Sequence, residues 1–460
     1  MASERTPNDA LAQVIALTGM TNHALAQAVQ RVGAENGDEL QTNKSTVTHW
    51  VRYGVKPSGS AGRYLAEALS RRLGRTVTLG EIGLIEPTHD LLDWRTDTLS
   101  ALADLGRTDT VDMDRRRALG TAAYSLAGLA LPGSSWWDRM AEQGNRRRAG
   151  RAVVGRGDLD AVRDMAALFS TMDQRHGGGH ARTAVVQYLV GEVSTYLNGT
   201  FTDDQVRRGM YSTASELAYL SGWMAFDNGD HPAAQKQFTV AVKLAAEADD
   251  AAMAAHVIRA MAHQANDLGH SRPALALAAA SVDGKRYTEA SPRERALLGV
   301  VHARALAATG QPKAATHALL HAENDLAAAR EGDEEPSRVF FFQEASLAHE
   351  TALALRDIGD LPGAEQHLQR SVRTRKATSF KRTHAVTLGH LGGIQARQHR
   401  IEEACATWAA ALDAMDGVRS GRTRQAATDM RTALSPLRQR GIPQIADIDR
   451  RAAAYLAATA

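Results

Sequence analysis

The chain has 460 residues and a formal net charge of +2, with 44% hydrophobic and 23% charged residues, a balance typical of a globular protein of two to four domains. Alanine is abundant and aromatic residues make up only 5%, which favours helices packed closely on helices, so we expect an all-α fold. The single cysteine, Cys405, excludes an internal disulfide framework and a cysteine-based zinc module, and it fits a reducing, cytoplasmic compartment.

Five short helices are predicted near the N-terminus, and we place a first domain at residues 1–86. Apolar residues recur at three-four spacing between Asn8 and Leu17, which indicates a helix that ends at Gly19. Thr21 is placed to cap a second helix. The segment AGRYLAEALSRRLG predicts a fourth helix, and TLGEIGL predicts a short fifth.

The third helix of this domain, in the segment KSTVTHWVRYG, follows a loop from Gly33 to Asn43. Its stripe of Val47, Trp50 and Val51 predicts one buried face, and the remaining side chains point outward.

The same region is locally basic. Between residues 40 and 75, seven basic residues stand against one acid, Glu67, for a local net charge of 7 − 1 = +6. A patch of this kind is the electrostatic footprint expected where phosphates are bound, although a solvated surface is the alternative. The basic residues are Lys44, Arg52, Lys56, Arg63, Arg71, Arg72 and Arg75.

The third helix resembles the recognition helix of Xre-family, or phage-repressor, helix-turn-helix domains. That family has a Ser or Thr pair, an aliphatic residue, a polar pair and an aromatic residue, which Ser45 to Trp50 match. The resemblance implies that this helix enters the major groove of double-stranded DNA. Base contacts are then expected from Lys44, Ser45, Thr48 and His49, and Thr46 is expected to contact DNA as part of the same motif. Phosphate contacts are expected from Thr21, Asn22, Asn43 and Arg52.

The loop before the third helix is longer than the few residues usual in the family. We expect it to lengthen the second helix or to form a wing, which leaves the tilt of the recognition helix open.

Residues 87–154 are predicted to be a helical connector. Within it, DMDRRRALGTAAYSLAGLALPGSSWW combines arginines with an apolar run, but it lies too far along the chain for an export signal and is too short to span a bilayer. Leu119, Ala122, Leu126 and Leu129 share one face of an amphipathic helix. We expect this helix to dock on the first helices of the repeat region, with Trp136 and Trp137 buried at that junction.

From residue 155 to 460 the chain repeats a pattern of a helix, a short polar turn and a second helix. The turns align at Gly229, Gly269, Gly310 and Gly359, with His399 at the fifth turn. Five residues after each turn stands a small residue, at which a partner helix can approach closely. These residues are Ala234, Ala274, Ala315, Ala364 and Ala404. Four residues further along stand Phe238, Ala278, Leu319, Leu368 and Trp408.

This pattern resembles the tetratricopeptide repeat, with longer periods than the consensus. Taken as a whole, the chain resembles actinobacterial regulators in which an Xre-type DNA-binding domain precedes a tetratricopeptide sensor. The resemblance implies a helical-hairpin solenoid that binds an unknown small-molecule or peptide effector and mediates oligomerisation.

Candidate effector contacts lie on the first helices of adjacent repeats, which line the concave surface of such a solenoid. They are Trp223, Asp227, His263 and Asn266, and packing between repeats is the alternative reading of each. The segment HGGGHAR predicts a turn between helices, with an anion site that uses Arg182 as the alternative. His317 and His321 lie four residues apart on a helix, but no third metal ligand is implied.

These observations predict a cytoplasmic, sequence-specific transcriptional regulator that binds a DNA operator as a homodimer and senses an effector. We expect no catalytic activity, cofactor, metal or membrane association, because the sequence carries no phosphate-binding loop and no nucleophile motif. The alternative is a non-catalytic tetratricopeptide scaffold whose basic domain binds nucleic acid or protein without specificity.

Overall fold

The structure is a computed structural model that describes residues 7–58, 60–75, 77, 79, 81–84, 92–109, 124–146, 152–178, 181–330, 332–333, 335–440 and 442–459. Helices dominate these residues, in which strand structure is limited to a short parallel pair, so the predicted all-α fold is confirmed. The chain folds as two compact units, residues 1–137 and 138–460, so the division falls inside the predicted connector. Within the described ranges, no helix has both the length and the apolar character needed to cross a membrane.

Four helices build the core of the first unit, and their ends follow the local sequence. Helix α1 begins after Asn8, whose side chain accepts a hydrogen bond from the Leu11 amide, and it ends at Gly19 in the left-handed conformation. Thr21 caps the second helix through the Ala24 amide. The helices are α1 (Asp9–Thr18), α2 (Asn22–Glu35), α3 (Lys44–Arg52) and α4 (Ala61–Leu73).

The core between these helices contains Val47 and Trp50 of α3, while Val51 is only half-buried at its edge. Helix α2 extends to Glu35, so part of the expected loop lengthens this helix. The predicted fifth helix is wrong for its described residues. Leu79 and residues 81–84 form a turn, closed by a hydrogen bond from the Leu84 amide to the Leu79 carbonyl.

The remainder of the first unit contains α5 (Thr98–Asp109) and a single 3₁₀ turn at Ala127–Leu129, and α6 (Ser134–Arg146) follows. The amphipathic helix predicted through Leu126 and Leu129 is therefore not formed in its described part, and its residues 112–123 lie outside the described residues. Buried Glu67 on α4 accepts hydrogen bonds from the Ser125 hydroxyl and the Leu126 amide, which holds this segment irregular against α4. Trp136 is buried, as expected, and packs edge-on against Trp94, whereas Trp137 is only half-buried.

The second unit begins with β1 (Val153–Val154) and α7 (Arg156–His176) and continues through a broken helix into six helical hairpins. The broken helix has a π-helical segment at Leu189–Val193 between α8 (Arg182–Tyr188) and α9 (Ser194–Leu197), and β2 (Thr200–Phe201) pairs with β1. The first three hairpins are α10 (Asp204–Asp227) with α11 (His231–Glu247), α12 (Ala251–Asp267) with α13 (Ser271–Ser281), and α15 (Pro292–Ala308) with α16 (Pro312–Ala328), and the short α14 (Lys285–Thr288) lies between the second and third. The last three are α17 (Glu344–Ile358) with α18 (Leu361–Thr374), α19 (Lys381–Arg397) with α20 (Ile401–Ala414), and α21 (Gly421–Leu434) with α22 (Pro443–Ala458). Single 3₁₀ segments stand at Ser337–Val339 and Ser435–Arg440.

The five aligned turns share one backbone conformation. Gly229, Gly269, Gly310 and Gly359 have φ between 75° and 94°, and His399 has φ of 63°. A non-glycine residue rarely adopts this left-handed conformation, so the fifth repeat preserves the turn without its glycine. The aligned alanines after the turns are fully buried, which confirms the repeat spacing read from the sequence.

The row of hairpins closes on itself, because the beginning and the end of the second unit are in contact. Arg382 on α19 donates to both carboxylate oxygens of Asp173 on α7, each at 3.0 Å, and both side chains are buried. The turn after α7 passes so close to the start of α21 that an added Cβ at Gly177 would lie 2.4 Å from the Arg419 carbonyl oxygen. The glycines of HGGGHAR that the structure describes, Gly177 and Gly178, therefore allow this turn to pass close to the backbone of neighbouring segments.

Candidate functional site

Helix α3 presents a polar, exposed face opposite its buried Val47 and Trp50. Its N-terminus is closed by a capping box, in which the Asn43 side chain accepts from the Thr46 amide at 3.0 Å. This bond uses the Asn43 oxygen and leaves its amide group free to donate. Of the residues predicted to contact DNA, Thr21, Asn43, Lys44, Ser45, His49 and Arg52 are exposed, and Asn22, Thr46 and Thr48 are half-buried.

The start of α2 is tied to α3 by a hydrogen bond from the Asn22 amide group to the Thr48 hydroxyl, 3.2 Å long. Thr48 also donates to the Lys44 carbonyl oxygen at 2.8 Å, so its hydroxyl hydrogen is already used within the helix. The structure thus gives Asn22 and Thr48 a role in fixing the angle between α2 and α3. His49 remains outside this network and packs edge-on against the Tyr53 ring.

The basic patch is more local than the sequence count suggests. Arg71 pairs with Glu35 at 2.7 Å and with Glu67 at 2.9 Å, and Arg75 pairs with Glu81 at 2.7 Å. Glu35 and Glu81 lie just outside the counted window, so a charge count over that window overlooks them. By contrast, Lys44, Arg52 and Lys56 are exposed and have no carboxylate partner among the described residues. Uncompensated positive charge therefore lies on α3 and the segment that follows it, and also at Arg72 of α4, which donates to the Thr18 carbonyl oxygen at 3.1 Å.

The second unit contains a central pocket with about 560 Å³ of empty space, part of it open to solvent. We call it the central pocket. Its walls come from both ends of the closed row of hairpins, with side chains of α7, α10, α12, α15, α17, α19 and α21. Phe341, Phe342 and Phe380 form an aromatic wall, and Trp223 also lines the pocket.

Arginines dominate the charge of the central pocket, with Glu350 as its carboxylate. Arg382 lies between two carboxylates, Asp173 at 3.0 Å and Asp227 at 3.6 Å. Arg304 pairs with Glu350 at 2.9 Å and with Asp267 at 3.1 Å. Burial raises the pKa of Glu350, but nearby positive charges, with Arg304 first and Arg422 among them, lower it to about 2. The other pocket arginines are Arg259, Arg375 and Arg422.

These three arginines have no carboxylate partner among the described residues. Arg259 is 2% exposed and donates to the Tyr219 hydroxyl at 2.9 Å, and Arg375 is 8% exposed and donates to the Ala345 carbonyl at 2.9 Å. The Nε atoms of both are buried without a hydrogen-bond partner. Arg259 and Arg422 also lie over the Trp223 ring, 5.5 Å and 6.0 Å from its centroid. Burial lowers the pKa of Arg375 to about 10.

Two buried histidines near the pocket, His349 and His256, have lowered pKa values. Burial lowers the pKa of His349 well below its ordinary value, and its Nδ1 lies 2.9 Å from the Thr387 hydroxyl. That hydroxyl donates to the Thr383 carbonyl, so it accepts from His349, and Nε2 of His349 is left as a buried acceptor without a partner. Burial and the charge of Arg259 lower the pKa of His256 to about 3, although Glu294 acts in the opposite direction.

The five residues predicted to contact an effector are divided by the structure. Trp223 and His263 line the central pocket. Asp227 is fully buried and accepts from the Gly178 amide and the Ser420 hydroxyl, so it belongs to the contact that closes the unit. Arg182 forms an ion pair with Asp230 at 3.6 Å, and Asn266 is half-buried with its side-chain oxygen unpaired.

Sequence reasoning missed Arg259, Arg375 and Arg422, which supply most of the pocket's charge. Arg259 did leave a signal, because it interrupts the largely apolar run AAMAAHVIRAMA, where a buried polar residue is expected to have a specific role. The described residues hold no group of three metal-ligating side chains; His317 and His321 contact each other alone, with ring centroids 4.4 Å apart.

A family model described as the SP15 N-terminal domain matches residues 11–85, which span the helices α1 to α4 and the turn after them. This match covers much less than half of the chain. No curated protein matches the chain.

Proposed function

We propose that this protein is a sequence-specific DNA-binding transcriptional regulator and that α3 is its recognition helix. The observation that carries the proposal is the exposed face of α3, on which Lys44 and Arg52 have no carboxylate partner among the described residues. Elsewhere in the same unit, Arg71 and Arg75 are paired with carboxylates. A helix that buries one stripe and presents short polar side chains beside free cations suits the major groove.

In this proposal the residues divide by role. Lys44, Ser45 and His49 reach base edges from the exposed first turns of α3. Asn43, through its free amide group, and Arg52 bind phosphates and fix the register. Asn22 and Thr48 hold α2 at a fixed angle to α3, so their contribution to DNA binding is through position.

The regulator is proposed to act as a cytoplasmic homodimer, because one small helix seldom supplies enough specificity and two copies read two half-sites. The second unit then senses an effector whose binding changes the affinity for the operator. Light scattering of the full chain, alone and with operator DNA, measures the subunit count, and a complex with one chain per operator contradicts the dimer.

Selection from a randomised duplex library with the full chain tests the function. A regulator enriches a short shared operator. Retention of duplexes without a shared motif contradicts the proposal and favours the scaffold with a non-specific basic domain.

Two arginines of the same unit provide a matched comparison once an operator is known. Arg52→Ala removes an uncompensated cation, so we expect the slope of log affinity against log salt to fall by about 0.9, the value for one phosphate contact. Arg75→Ala removes the same formal charge from a pair with Glu81 and is expected to leave the slope unchanged. Equal effects of the two changes would show that α3 is not the binding surface.

The base contacts are tested separately from the phosphate contacts. Lys44→Ala combined with His49→Ala should weaken the operator complex by about 1–3 kcal/mol per lost base contact and weaken random duplex DNA less. An equal loss on both kinds of DNA removes the assignment of these residues to base recognition.

A further inference from the structure

Three of the four arginines that line the central pocket have no carboxylate partner among the described residues. The fourth, Arg382, lies 3.0 Å from Asp173 and 3.6 Å from Asp227, and Arg304 pairs with both Asp267 and Glu350, at 3.1 Å and 2.9 Å. Of the remaining three, Arg259 and Arg375 are at least nine-tenths buried and Arg422 is half-buried. Burying a charged group without a direct counter-charge is costly, so two buried arginines with a third at the same pocket favour an anion that is bound there.

The interactions that these arginines do make are too weak to replace a counter-charge. The rings of Tyr219 and Trp223 contact Arg259, and Trp223 also contacts Arg422. Cation–π contacts of this kind contribute about 0.5–2 kcal/mol each and leave the formal charge in place. The buried Nε atoms of Arg259 and Arg375 have no hydrogen-bond partner, a feature that they share with the ion-paired Arg304 and Arg382.

The rest of the pocket has the character of a site for a flat, largely apolar group. Phe341, Phe342 and Phe380 provide one wall. The unpartnered Nε2 of His349 offers a buried hydrogen-bond acceptor, which requires a donor on the ligand.

We propose that the central pocket binds a small phosphate monoester that carries a flat ring with a hydrogen-bond donor, the chemical class of the mononucleotides. The phosphate is held by Arg259, Arg375 and Arg422, the ring packs on the phenylalanine wall, and the donor bonds to Nε2 of His349. Arginine suits this role because its fork of N–H donors matches phosphate oxygens.

The role of the pocket as the effector site of a regulator rests on the function proposed above. Ligand binding itself is measured without DNA, so the proposed ligand and the proposed DNA-binding function can be refuted independently of each other. The site assignment stands on the pocket's charge and shape alone.

Isothermal titration of the full chain with AMP, GMP, CMP, UMP, phenyl phosphate, adenosine and inorganic phosphate tests the site. We expect at least one nucleotide to bind at least about tenfold more tightly than adenosine and than inorganic phosphate. Failure of every phosphate monoester to bind at millimolar concentration overturns the proposal. Equal binding of adenosine removes the role of the arginines, and equal binding of inorganic phosphate removes the role of the ring.

Variants locate the binding within the chain. Arg422→Gln changes a half-buried side chain with no ion pair and is expected to weaken the best ligand at least about tenfold. Arg375→Gln provides an independent second change, with the same expected loss. The matched control, Arg370→Gln, removes an exposed arginine paired with Glu344 and should leave affinity within about twofold. Wild-type affinity in both pocket variants, with native far-ultraviolet circular dichroism, overturns the site.

The ligand's regulatory role is measured last, by operator affinity with and without the best ligand. A change in affinity supports an effector site. Tight binding in the pocket with unchanged operator affinity overturns the effector role and leaves the binding site itself standing.

Discussion

A glycine and a phenylalanine of the first hairpin are predicted to be energetically coupled. A Cβ added at Gly222 on α10 would lie 2.7 Å from Cδ1 and 2.8 Å from Cε1 of Phe238 on α11, well inside ordinary van der Waals contact. Overpacking of this kind costs about 1–3 kcal/mol. Alanine also improves the helix by about 1 kcal/mol over glycine. We therefore expect Gly222→Ala to destabilise the native protein by up to about 2 kcal/mol.

The repeats themselves suggest the change that reverses this loss. In the third hairpin the equivalent positions are Ala303 and Leu319, both buried, so a leucine accommodates an alanine opposite it. In a Phe238→Leu background the overlap disappears and only the helix gain remains, so Gly222→Ala should stabilise by about 1 kcal/mol. The sign of one substitution thus depends on the residue across the hairpin.

Urea unfolding of the four proteins, followed by far-ultraviolet circular dichroism, measures this coupling through the shifts in midpoint. We expect an interaction free energy of about 1–3 kcal/mol from the double-mutant cycle. Additive effects, with an interaction free energy below about 0.5 kcal/mol, would refute the argument that ring size at one position determines which residue fits at the other.

Three further predictions concern single residues of the second unit. Arg375→Met should leave the unliganded protein at least as stable in urea, because it removes a buried cation that has no carboxylate partner among the described residues. The Ser371 hydroxyl still donates to the Ala345 carbonyl oxygen at 2.6 Å. A loss of more than about 2 kcal/mol in the free energy of unfolding contradicts this. His256 has a folded pKa of about 3, so between pH 7 and 5.5 only the unfolded chain gains its proton, and stability falls with falling pH. His256→Gln should reduce this loss in the free energy of unfolding by about 1.3 kcal/mol, as measured by urea unfolding at the two pH values. An unchanged pH dependence of stability contradicts the neutral, buried state of His256. His399→Gly should raise the thermal midpoint, because the left-handed backbone conformation costs a histidine about 1 kcal/mol and costs a glycine almost nothing. A lower midpoint would indicate that the turn needs a contact of the imidazole.

Local features of the fold could be predicted from the sequence. The end of α1 at Gly19 and the cap at Thr21 depend on side chains within a few residues of the helix ends, and such signals are present in a single sequence. The turn at His399 was also predictable, because the alignment of the repeats gave its position even without a glycine.

The predictions that failed depend on contacts distant in sequence. The segment at Leu126 is apolar enough for a helix, yet Glu67 on α4 binds its backbone and side chains and holds it irregular. A charge count over one window cannot show that Arg71 and Arg75 are paired with Glu35 and Glu81. Asp227, expected from its place on the first helix of a repeat either to contact an effector or to pack between repeats, forms a hydrogen bond with Ser420, far along the chain, and this contact favours packing.

The closure of the second unit bears on which effector is proposed. An open solenoid offers a long groove in which an extended peptide can lie, and the sequence left both a peptide and a small molecule possible. In the folded unit, the buried contact of Asp173 with Arg382 joins α7 to α19 across the end of that groove. Breaking one side of a buried ion pair is costly, by about 3–5 kcal/mol, so an elongated ligand would have to meet that cost on entry. A compact anion could bind the arginines of the central pocket without breaking the ion pair between Asp173 and Arg382. We therefore assign the central pocket to a small molecule.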